Sequence, residues 1–368
     1  KAALILKQMS SMAENHQEKE RKRKQPLEDE ELAMVLRHLD TTTTTVAATN
    51  NNGNDNNGSG SSTRNDKFTG TNALIAGVMA HATEGLQSLL CIDNKKYSYI
   101  QKNGEKAIIE EVKELVRTTT EGSDESKRLQ AEEIDEFLNY ILHEQCSEKT
   151  YPNGVRDHGR ETNWSFADFM AHENVQKAAL CRADVLSLRL YTTPAFRLIN
   201  NPLRDQNRSQ NCHEHPLPAT VVYLRSAIKK LRKIFNDNNR DNNSTRNGER
   251  TQSGVGDSVL WRGIKKVHLT PEFTLQGGTE LAPMSTTSDL QVALQYGTCS
   301  HGSVLFRILV ADALTYGAAL KWVSVFPSDE EVLYPPLTFL RPTGKMQEIK
   351  VSGTHVTVIE VSPDLSAD

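Results

Sequence analysis

Residues 258–264 read SVLWRGI, and this stretch decides the fold of the C-terminal third of the chain. Side chains of a strand alternate between its two faces, so Arg262 shares a face with Leu260 and Ile264. Similar short runs of β-branched and aromatic residues follow, namely GSVLFRILV, LTFLRP, MQEIKVSG and THVTVIEVS. We therefore predict a β-sheet unit from residue 258 onward.

The chain upstream of this unit, residues 68–235, has mostly helical spacing of its apolar residues. In the last of these helices one face carries Val221, Leu224, Ile228, Leu231 and Phe235. The opposite face carries Arg225, Lys229, Arg232 and Lys233. Because no aromatic residues are interleaved with these charges, we interpret this face as solvated surface, not as a nucleic-acid site. A polar insertion at about residues 236–256 separates the helix from the sheet.

Residues 1–67 combine a charged run, a threonine run and the tract NNNGNDNNGSGSS. Such segments cannot bury enough apolar surface to offset the entropy of ordering, so we predict a disordered arm. One short piece of the arm has apolar residues on one helix face, at Leu32, Val35, Leu36 and Leu39. Our hypothesis is that this face docks into a partner groove. The alternative is a solvated, transient helix.

The composition argues against several classes of partner. A net charge of −4 over 368 residues gives no overall attraction to nucleic acid, so we expect no nucleic-acid partner. No apolar run approaches the roughly 20 residues that span a bilayer, so we expect no membrane partner. Five cysteines without CxxC spacing are typical of reduced thiols.

These features predict an intracellular, cytoplasmic protein. The basic run KERKRK at residues 19–24 is either a solvated charge block or a nuclear-import signal, so a nuclear location stays open, as does secretion. The chain begins with Lys1 instead of Met, so we expect the true N-terminus, and any targeting signal there, to lie outside this sequence.

Three features of the C-terminal part can carry chemistry. Arg262 on its strand needs an anion, which is either a carboxylate in an internal ion pair or a bound phosphate. The polar cluster at residues 285–288 precedes a short apolar helix, for which Ser288 is the candidate N-cap. The stretch FPSDEEVLYPPLTFL sets three acids against an apolar run, with Glu331 on the same face as Leu333.

The string Cys212-His213-Glu214-His215 contains residue types that bind zinc. Zinc sites use four ligands from properly spaced pairs, and no second pair lies nearby in the sequence. We therefore predict a polar loop before Pro216 and no metal site.

The order of the three features resembles the Arg–Ser–Glu class of mono-ADP-ribosyltransferases. The upstream segment LRLYTTPAFRLINNPLR is similar to the Tyr-Thr, Ile-Asn and Leu-Arg segment that precedes the first strand in that family. The resemblance covers about residues 165–362. It implies an α+β fold in which a helical half packs on a twisted two-sheet β-sandwich, with NAD in the cleft between them. The expected organisation is a disordered arm at 1–67, a helical region at 68–164 and a catalytic domain at 165–368.

The resemblance also implies roles for individual residues. Glu331 would be the catalytic acid, hydrogen-bonded to the nicotinamide-ribose hydroxyl, and Ser285 would support this glutamate and the ribose. Arg262 would bind the NAD diphosphate and structure the cleft. Further contacts to NAD would come from the backbone of Gly263, from Arg204 and from Asn200.

The chemistry explains why such a site needs a carboxylate. Breaking the N-glycosidic bond of NAD develops positive charge on the ribose, which a fixed carboxylate stabilises, as in glycosidases. Nicotinamide leaves as a neutral molecule, so the reaction requires NAD as co-substrate and no metal. ADP-ribose would then pass to a side chain of a protein acceptor.

The sequence departs from the family pattern at one site position. In arginine-specific members the residue two before the catalytic Glu is usually another Glu, which is thought to orient the acceptor, and here it is Asp329. Aspartate still pairs with a guanidinium but reaches one methylene less far, so arginine stays the favoured acceptor. Two alternatives remain open: an NAD glycohydrolase that uses the same site with water, and a catalytically silent binding or scaffold module.

Overall fold

The computed structural model describes residues 74–76, 80–117, 141, 157, 160, 164–193, 195–244, 258–265, 270–297, 303–312 and 315–365. The predicted disordered arm and its candidate docking helix lie outside these residues. The helices are α1 (Ala80–Leu90), α2 (Asn94–Asn103), α3 (Glu105–Arg117), α4 (Phe166–Ala171), α5 (Glu173–Lys177), α6 (Arg182–Tyr191), α7 (Phe196–Arg204), α8 (Gln206–Gln210), α9 (Pro218–Ser244), α10 (Pro271–Gln276) and α11 (Leu290–Gly297).

The strands are β1 (Leu74–Ala76), β2 (Ser258–Lys265), β3 (Gly278–Glu280), β4 (Met284–Thr287), β5 (Ser303–Val310), β6 (Ala318–Ala319), β7 (Glu331–Tyr334), β8 (Thr338–Val351) and β9 (Thr354–Asp364). The mixed α+β prediction is confirmed. From Ser258 onward β-strands dominate, with two short helices between them, as the alternating apolar pattern predicted.

The strands form one nine-stranded sheet in the order β1-β3-β8-β9-β5-β2-β4-β7-β6. The pair β5–β9 is parallel and the other neighbours are antiparallel. A single residue pair, Trp261–Thr287, joins β2 to β4. The predicted division into two sheets is therefore not confirmed, because this one pair connects the three strands β4, β7 and β6 to the rest.

Two apolar cores position the site. One core is built between strands and takes residues from both sides of the Trp261–Thr287 junction, including Leu260, Phe306 and Ile359 on one side and Met284 and Val332 on the other. The larger core joins α1–α7 and α9 to the segment around β6 and β7, with Leu333 of β7 buried in it. The helices therefore cover the face of β7 that carries Glu331 and Leu333.

Glu111 of α3 ties the N-terminal helices to α9. Its carboxylate accepts hydrogen bonds from the backbone N–H groups of Ala219 and Thr220 and from the Thr220 hydroxyl. The first N–H groups of a helix have no acceptor inside the helix, and Glu111 supplies one for α9. Burial raises the pKa of Glu111 to about 7, although these hydrogen bonds oppose the rise.

Two predictions of helix limits are corrected. Strand β1 lies in the region 68–164 that we expected to be helical, because its backbone pairs with the exposed edge of β3. Helix α9 continues to Ser244, into the tract that we expected to be an insertion at 236–256. That tract contains neither Gly nor Pro before Gly248, and Asn and Asp cost a helix only some tenths of a kcal/mol each.

The polar cluster also differs from its prediction. Residues 285–287 belong to strand β4, and Asp289 caps α11 in place of Ser288. The Asp289 side chain accepts from the backbone N–H groups of Gln291 at 2.8 Å and Val292 at 3.3 Å. The cap moves by one residue because the ladder with β7 holds Thr287 extended opposite Glu331.

The basic face of α9 is only partly solvated. Lys229 and Lys233 are exposed, as predicted, but Arg225 and Arg232 are half-buried. Burial lowers the pKa of both arginines, and the Arg232 Nε donates to the carbonyl oxygen of Tyr316 at 2.9 Å. Arg232 therefore helps to hold α9 against the segment before β6.

No helix in the described part of the chain is long and apolar enough to cross a membrane. The described cysteines, Cys91, Cys181 and Cys212, are free thiols. Cys146 and Cys299 lie outside the described residues.

Strand β2 and helix α11 cross at two glycines. A Cβ on Gly263 would lie 2.1 Å from the carbonyl oxygen of Ala293 and 2.5 Å from the Cα of Gly297. Real Cβ atoms do not approach backbone so closely, so this crossing requires glycine.

We expect Gly263→Ala to lower the free energy of unfolding by about 1–3 kcal/mol or more, because the added methyl group forces the two backbones apart. Urea denaturation measures this loss. Gly353→Ala is the comparison: it strains a positive φ of 82° but meets nothing within 4 Å, and should cost less. Equal losses for the two variants would contradict the close crossing.

Candidate active site

Three residues distant in sequence form a buried ion cluster. Glu280, at the end of β3, is fully buried. Its carboxylate accepts from Arg204 Nε and Nη2, both at 3.0 Å, and from Arg262 Nη2 at 3.2 Å. The cluster therefore joins the end of α7 to β2 and β3.

This cluster carries an excess of positive charge. Two guanidinium groups share one carboxylate, and the arginine side chains keep 20% and 15% exposure at Arg204 and Arg262. Burial lowers the pKa of Arg262, and Glu280 only partly opposes this change. Burial also opposes the charge of Arg204, but Glu280 outweighs it and raises the pKa of that group. Both groups stay protonated at neutral pH.

The geometry combines the two interpretations that the sequence left open for Arg262. The side chain does make an internal ion pair, with Glu280. Because Arg204 shares the same carboxylate, the pair does not neutralise the site, and a positive charge remains for an anionic ligand.

Arg262 also spans the gap between two strands. Beyond the Trp261–Thr287 pair, β2 and β4 have no further residue pairing. In this gap the Arg262 Nη1 donates to the backbone carbonyl oxygen of Ser285 at 3.0 Å. The strands therefore separate between Gly263 and Ser285, and we call this gap, with the guanidinium inside it, the crevice.

Ser285 connects Arg262 to Glu331. Ser285 pairs with Leu333 of the neighbouring strand β7, which begins at Glu331, and hydrogen bonding by its side chain holds down the pKa of that carboxylate. Burial raises the pKa of Glu331 to about 7, the Ser285 hydrogen bond opposes the rise, and the negative charge of Asp329 adds to it. The structure thus brings Arg262, Ser285 and Glu331 together around one crevice.

The turn before β7 presents the two other acids. Residues Pro327–Asp329 form a 3-10 turn, and Glu330 follows with a positive φ of 47°. Glu330 forms an ion pair with Lys321, so its charge is compensated. Asp329 stays beside the site: its carbonyl oxygen accepts from the Thr287 hydroxyl at 2.9 Å, and its carboxylate accepts from the Tyr296 hydroxyl at 3.1 Å.

Tyr191 and Asn200 line the helical side of the site. The Tyr191 hydroxyl donates to the carbonyl oxygen of Pro283 at 3.1 Å and accepts from Asn200 Nδ2 at 3.3 Å. Burial raises the pKa of Tyr191, and the charge of Glu331 adds to the rise, so this ring lies within electrostatic reach of Glu331. The buried Oδ1 of Asn200 has no hydrogen-bond partner among the described residues.

Sequence reasoning missed Glu280 and the hydroxyl of Tyr191 as parts of this site. The available signal for Glu280 was an acid within the apolar stretch ELAPM, which burial would force to find a cation. Tyr191 belonged to the segment that carried the family resemblance, but its contact with Pro283 depends on packing.

The Cys-His-Glu-His string is not a metal centre in the structure. His215 is buried, with Nε2 3.0 Å from the Ile199 carbonyl oxygen, and Nδ1 accepts from the Leu217 N–H at 3.0 Å. Burial lowers the pKa of His215 to about 4, so the ring is neutral. Within the described ranges, no group of three or more His, Cys, Asp or Glu side chains could hold a metal ion.

We expect Glu280→Gln to lower the free energy of unfolding by about 3 kcal/mol, because it leaves two guanidinium groups facing each other without a counter-charge. Urea denaturation at neutral pH measures the change. Asp364→Asn removes the partner of Arg341 in an exposed pair and serves as the control, with an expected loss below about 1 kcal/mol. A loss for Glu280→Gln no larger than the control would show that the cluster does not stabilise the fold.

Comparisons with known proteins assign the chain to a family. In sequence, no curated protein matches the chain. Among solved structures, the ADP-ribosyltransferase HopU1 of Pseudomonas syringae pv. Tomato DC3000 is similar at 19% identity and a TM-score of 0.36, over 56% of this chain and 90% of that one. The eukaryotic mono-ADP-ribosyltransferase ART2.2 is similar at 16% identity and a TM-score of 0.37, over 74% and 88%.

The type III effector XopAI from Xanthomonas axonopodis pv. citri is similar at 12% identity and a TM-score of 0.39, over 74% of this chain and 96% of that one. These similarities are too low to carry the assignment. A sequence model of the NAD:arginine ADP-ribosyltransferase family matches residues 144–358, and begins upstream of residue 165, where we expected the catalytic domain to start. Because this match spans more than half of the chain, the protein belongs to the NAD:arginine ADP-ribosyltransferase family.

Proposed function

We propose that this chain is a mono-ADP-ribosyltransferase of the Arg–Ser–Glu class, which transfers ADP-ribose from NAD to an arginine side chain of a protein. The observation that carries the proposal is that Arg262 donates to the backbone of Ser285, while the side chain of Ser285 holds down the pKa of Glu331. Cation, hydroxyl and carboxylate meet at one crevice, although they are far apart in the sequence.

The arginine cluster supports binding of the NAD diphosphate. Arg204 and Arg262 share one carboxylate, so their combined charge is positive, and both side chains are partly exposed. Guanidinium groups suit phosphate oxygens because their donors lie in one planar fork. Asn200 adds a buried amide oxygen that has no partner in the described part of the chain, which fits a ligand that donates a hydrogen bond.

Gly263 supports the nicotinamide end of the same crevice. It lies beyond the last residue pair between β2 and β4, and its Cα packs against α11. Gly263 has no side chain, so only backbone stands at this point of the β2 edge. A backbone wall offers hydrogen-bonding groups to the amide of nicotinamide.

Glu331 supports the chemical step. The bond between nicotinamide and the ribose C1′ breaks with its electron pair on nicotinamide, and positive charge develops on the ribose. An ionised Glu331, held by Ser285, stabilises that charge. A guanidinium nitrogen of the acceptor then bonds to C1′ and gives up a proton. If water arrives first, the same site acts as an NAD glycohydrolase.

Asp329 supports arginine as the acceptor. It lies two residues before Glu331 and contributes to the rise of its pKa, so the two carboxylates are close neighbours. A carboxylate beside the reacting carbon suits a cationic acceptor, and aspartate can pair with a guanidinium despite its shorter reach.

We expect Glu331→Gln to slow nicotinamide release by about 10²- to 10³-fold, because it removes a preorganised charge opposite the ribose. Incubation with adenylate-labelled NAD separates the two outcomes of the reaction: label on protein indicates transfer, whereas free ADP-ribose alone indicates hydrolysis.

Glu330→Gln is the matched control, since this acid of the same turn pairs with Lys321 and should keep the wild-type rate. NAD should still raise the melting temperature of Glu331→Gln, because the arginine cluster is intact. Unchanged nicotinamide release by Glu331→Gln would sink the enzymatic proposal and favour a silent binding module.

The rate of NAD cleavage without acceptor should rise with pH through about 7, as Glu331 ionises, and then level off. In Asp329→Asn the midpoint should move to lower pH, because a neighbouring negative charge that opposes ionisation is gone.

The ionisation of Glu331 affects the stability of the fold in the opposite direction to the rate. Because the pKa of Glu331 is raised from 4.5, the folded state loses stability as the pH rises through the window up to about 7.

Steady-state rates of nicotinamide release at a series of pH values, with saturating NAD, measure this midpoint. A profile without a midpoint near 7, or one that Asp329→Asn moves to higher pH, would contradict the proposed role of Glu331.

A further inference from the structure

A large aromatic side chain stands exposed beside the acid turn. Tyr296 lies in the last turn of α11, and 45% of its surface is exposed, whereas Ala293 and Leu294 of the same helix are buried. Its hydroxyl donates to Asp329 Oδ2 at 3.1 Å. The ring stays exposed despite this hydrogen bond, so core packing does not explain why a tyrosine stands beside Asp329.

We infer that Tyr296 is a specificity-determining residue, which forms with Asp329 a two-sided site for the guanidinium group of the acceptor arginine. The inference rests on the proposed transfer reaction and adds the part of the site that selects its acceptor. The ring of Tyr296 supplies an aromatic face, and Asp329 supplies the counter-charge.

The chemistry of the two side chains favours a guanidinium over an ammonium ion. A guanidinium is planar and weakly hydrated, so it stacks on an aromatic face while its edge pairs with a carboxylate. An ammonium ion is a compact and strongly hydrated charge, which gains less from such a flat surface. A tyrosine whose hydroxyl is bound to the carboxylate holds both surfaces in a fixed relation.

Tyr296 also accounts for the departure from the family pattern. Aspartate at position 329 is one methylene shorter than the glutamate that is usual in arginine-specific members. The Tyr296 hydroxyl and the Thr287 hydroxyl fix the side chain and the backbone of Asp329. The shorter Asp329 side chain, held in place beside an aromatic ring, can thus take the role of the longer and more mobile glutamate.

The electrostatics of the turn agree with this position for the acceptor. Glu330 is compensated by Lys321, while Asp329 lies close enough to raise the pKa of Glu331. An acceptor cation at Asp329 would therefore arrive next to the carboxylate that faces the ribose. It would also offset the repulsion between the two acids.

The helix that carries Tyr296 is held in place at this end. The next residue, Gly297, crosses Gly263 of β2 with backbone atoms in direct contact. The position of Tyr296 is therefore coupled to the strand that carries Arg262. This coupling makes the aromatic wall a fixed part of the crevice.

The test uses two small acceptors on the full chain: agmatine, which carries a guanidinium, and putrescine, which carries only ammonium groups. For Tyr296→Leu we expect the KM for agmatine to rise about 5- to 30-fold, because the ring face and the hydroxyl are both lost. The ratio of transfer to hydrolysis should fall with it. Tyr296→Phe keeps the ring and should show a smaller rise.

Tyr99→Leu is the matched control. Tyr99 is 41% exposed and donates its hydroxyl to a carboxylate, that of Glu110, but it lies on α2 away from the crevice. This variant should keep the wild-type KM for agmatine. The melting temperatures of all three variants, measured with and without NAD, confirm that they are folded and bind the dinucleotide.

Three results would overturn the inference. An unchanged KM for agmatine in Tyr296→Leu excludes a contact with the acceptor. Equal use of putrescine and agmatine by the wild type excludes selection of a guanidinium. If the wild type releases nicotinamide in a Glu331-dependent manner but modifies neither acceptor, the acceptor site is excluded while the proposal of NAD cleavage stands. By contrast, if the wild type releases no nicotinamide, the proposed function itself is wrong.

Discussion

Glu280 lies between two arginines, and the rest of the site depends on this buried carboxylate. A charge without contact to water must be paired, or it costs several kcal/mol. Glu280 is fully buried, and the cations that pair with it come from helix α7 and strand β2. The need to pair one carboxylate thus fixes helix α7 and the strands β2 and β3 in one place. Since two cations share one anion, the same ion cluster keeps a net positive charge, which can bind a dinucleotide phosphate.

The crevice itself follows from a break in the sheet. Strands β2 and β4 meet at one residue pair and then separate, and the guanidinium of Arg262 bonds to the backbone of Ser285 inside the gap. A sheet that opens in this way exposes backbone groups that normally pair with each other. Two packing features surround the gap: the glycine crossing of β2 with α11, and the apolar core that spans the junction.

Much of this arrangement could be predicted from the sequence, for identifiable reasons. Alternation within SVLWRGI placed Arg262 on the face of Leu260, and the structure buries Leu260 in the core between the strands, with Ile264 packed against it. The order of Arg, Ser and Glu along the chain was specific enough to indicate the family.

What failed were features that depend on distant partners. Glu280 is separated from Arg204 by 76 positions. No local pattern in the sequence distinguishes this buried acid from Glu330, which forms an ion pair with Lys321 at the surface. The cap of α11 moved to Asp289 because the ladder with β7 kept Thr287 extended. The one-pair junction between β2 and β4 depends on strand divergence, which alternation cannot show, and the predicted division into two sheets stays unconfirmed.

The two acids of the turn show how surroundings divide chemical roles between similar groups. Glu331 begins a strand whose face is covered by the helices, so loss of water raises its pKa and Ser285 limits the rise. Asp329 lies two residues earlier, with its carboxylate on the hydroxyl of an exposed tyrosine. In the proposed reaction, the first carboxylate would face the developing positive charge and the second would meet the incoming cation. A pair of acids in different environments is what a transfer between a cationic intermediate and a cationic acceptor requires.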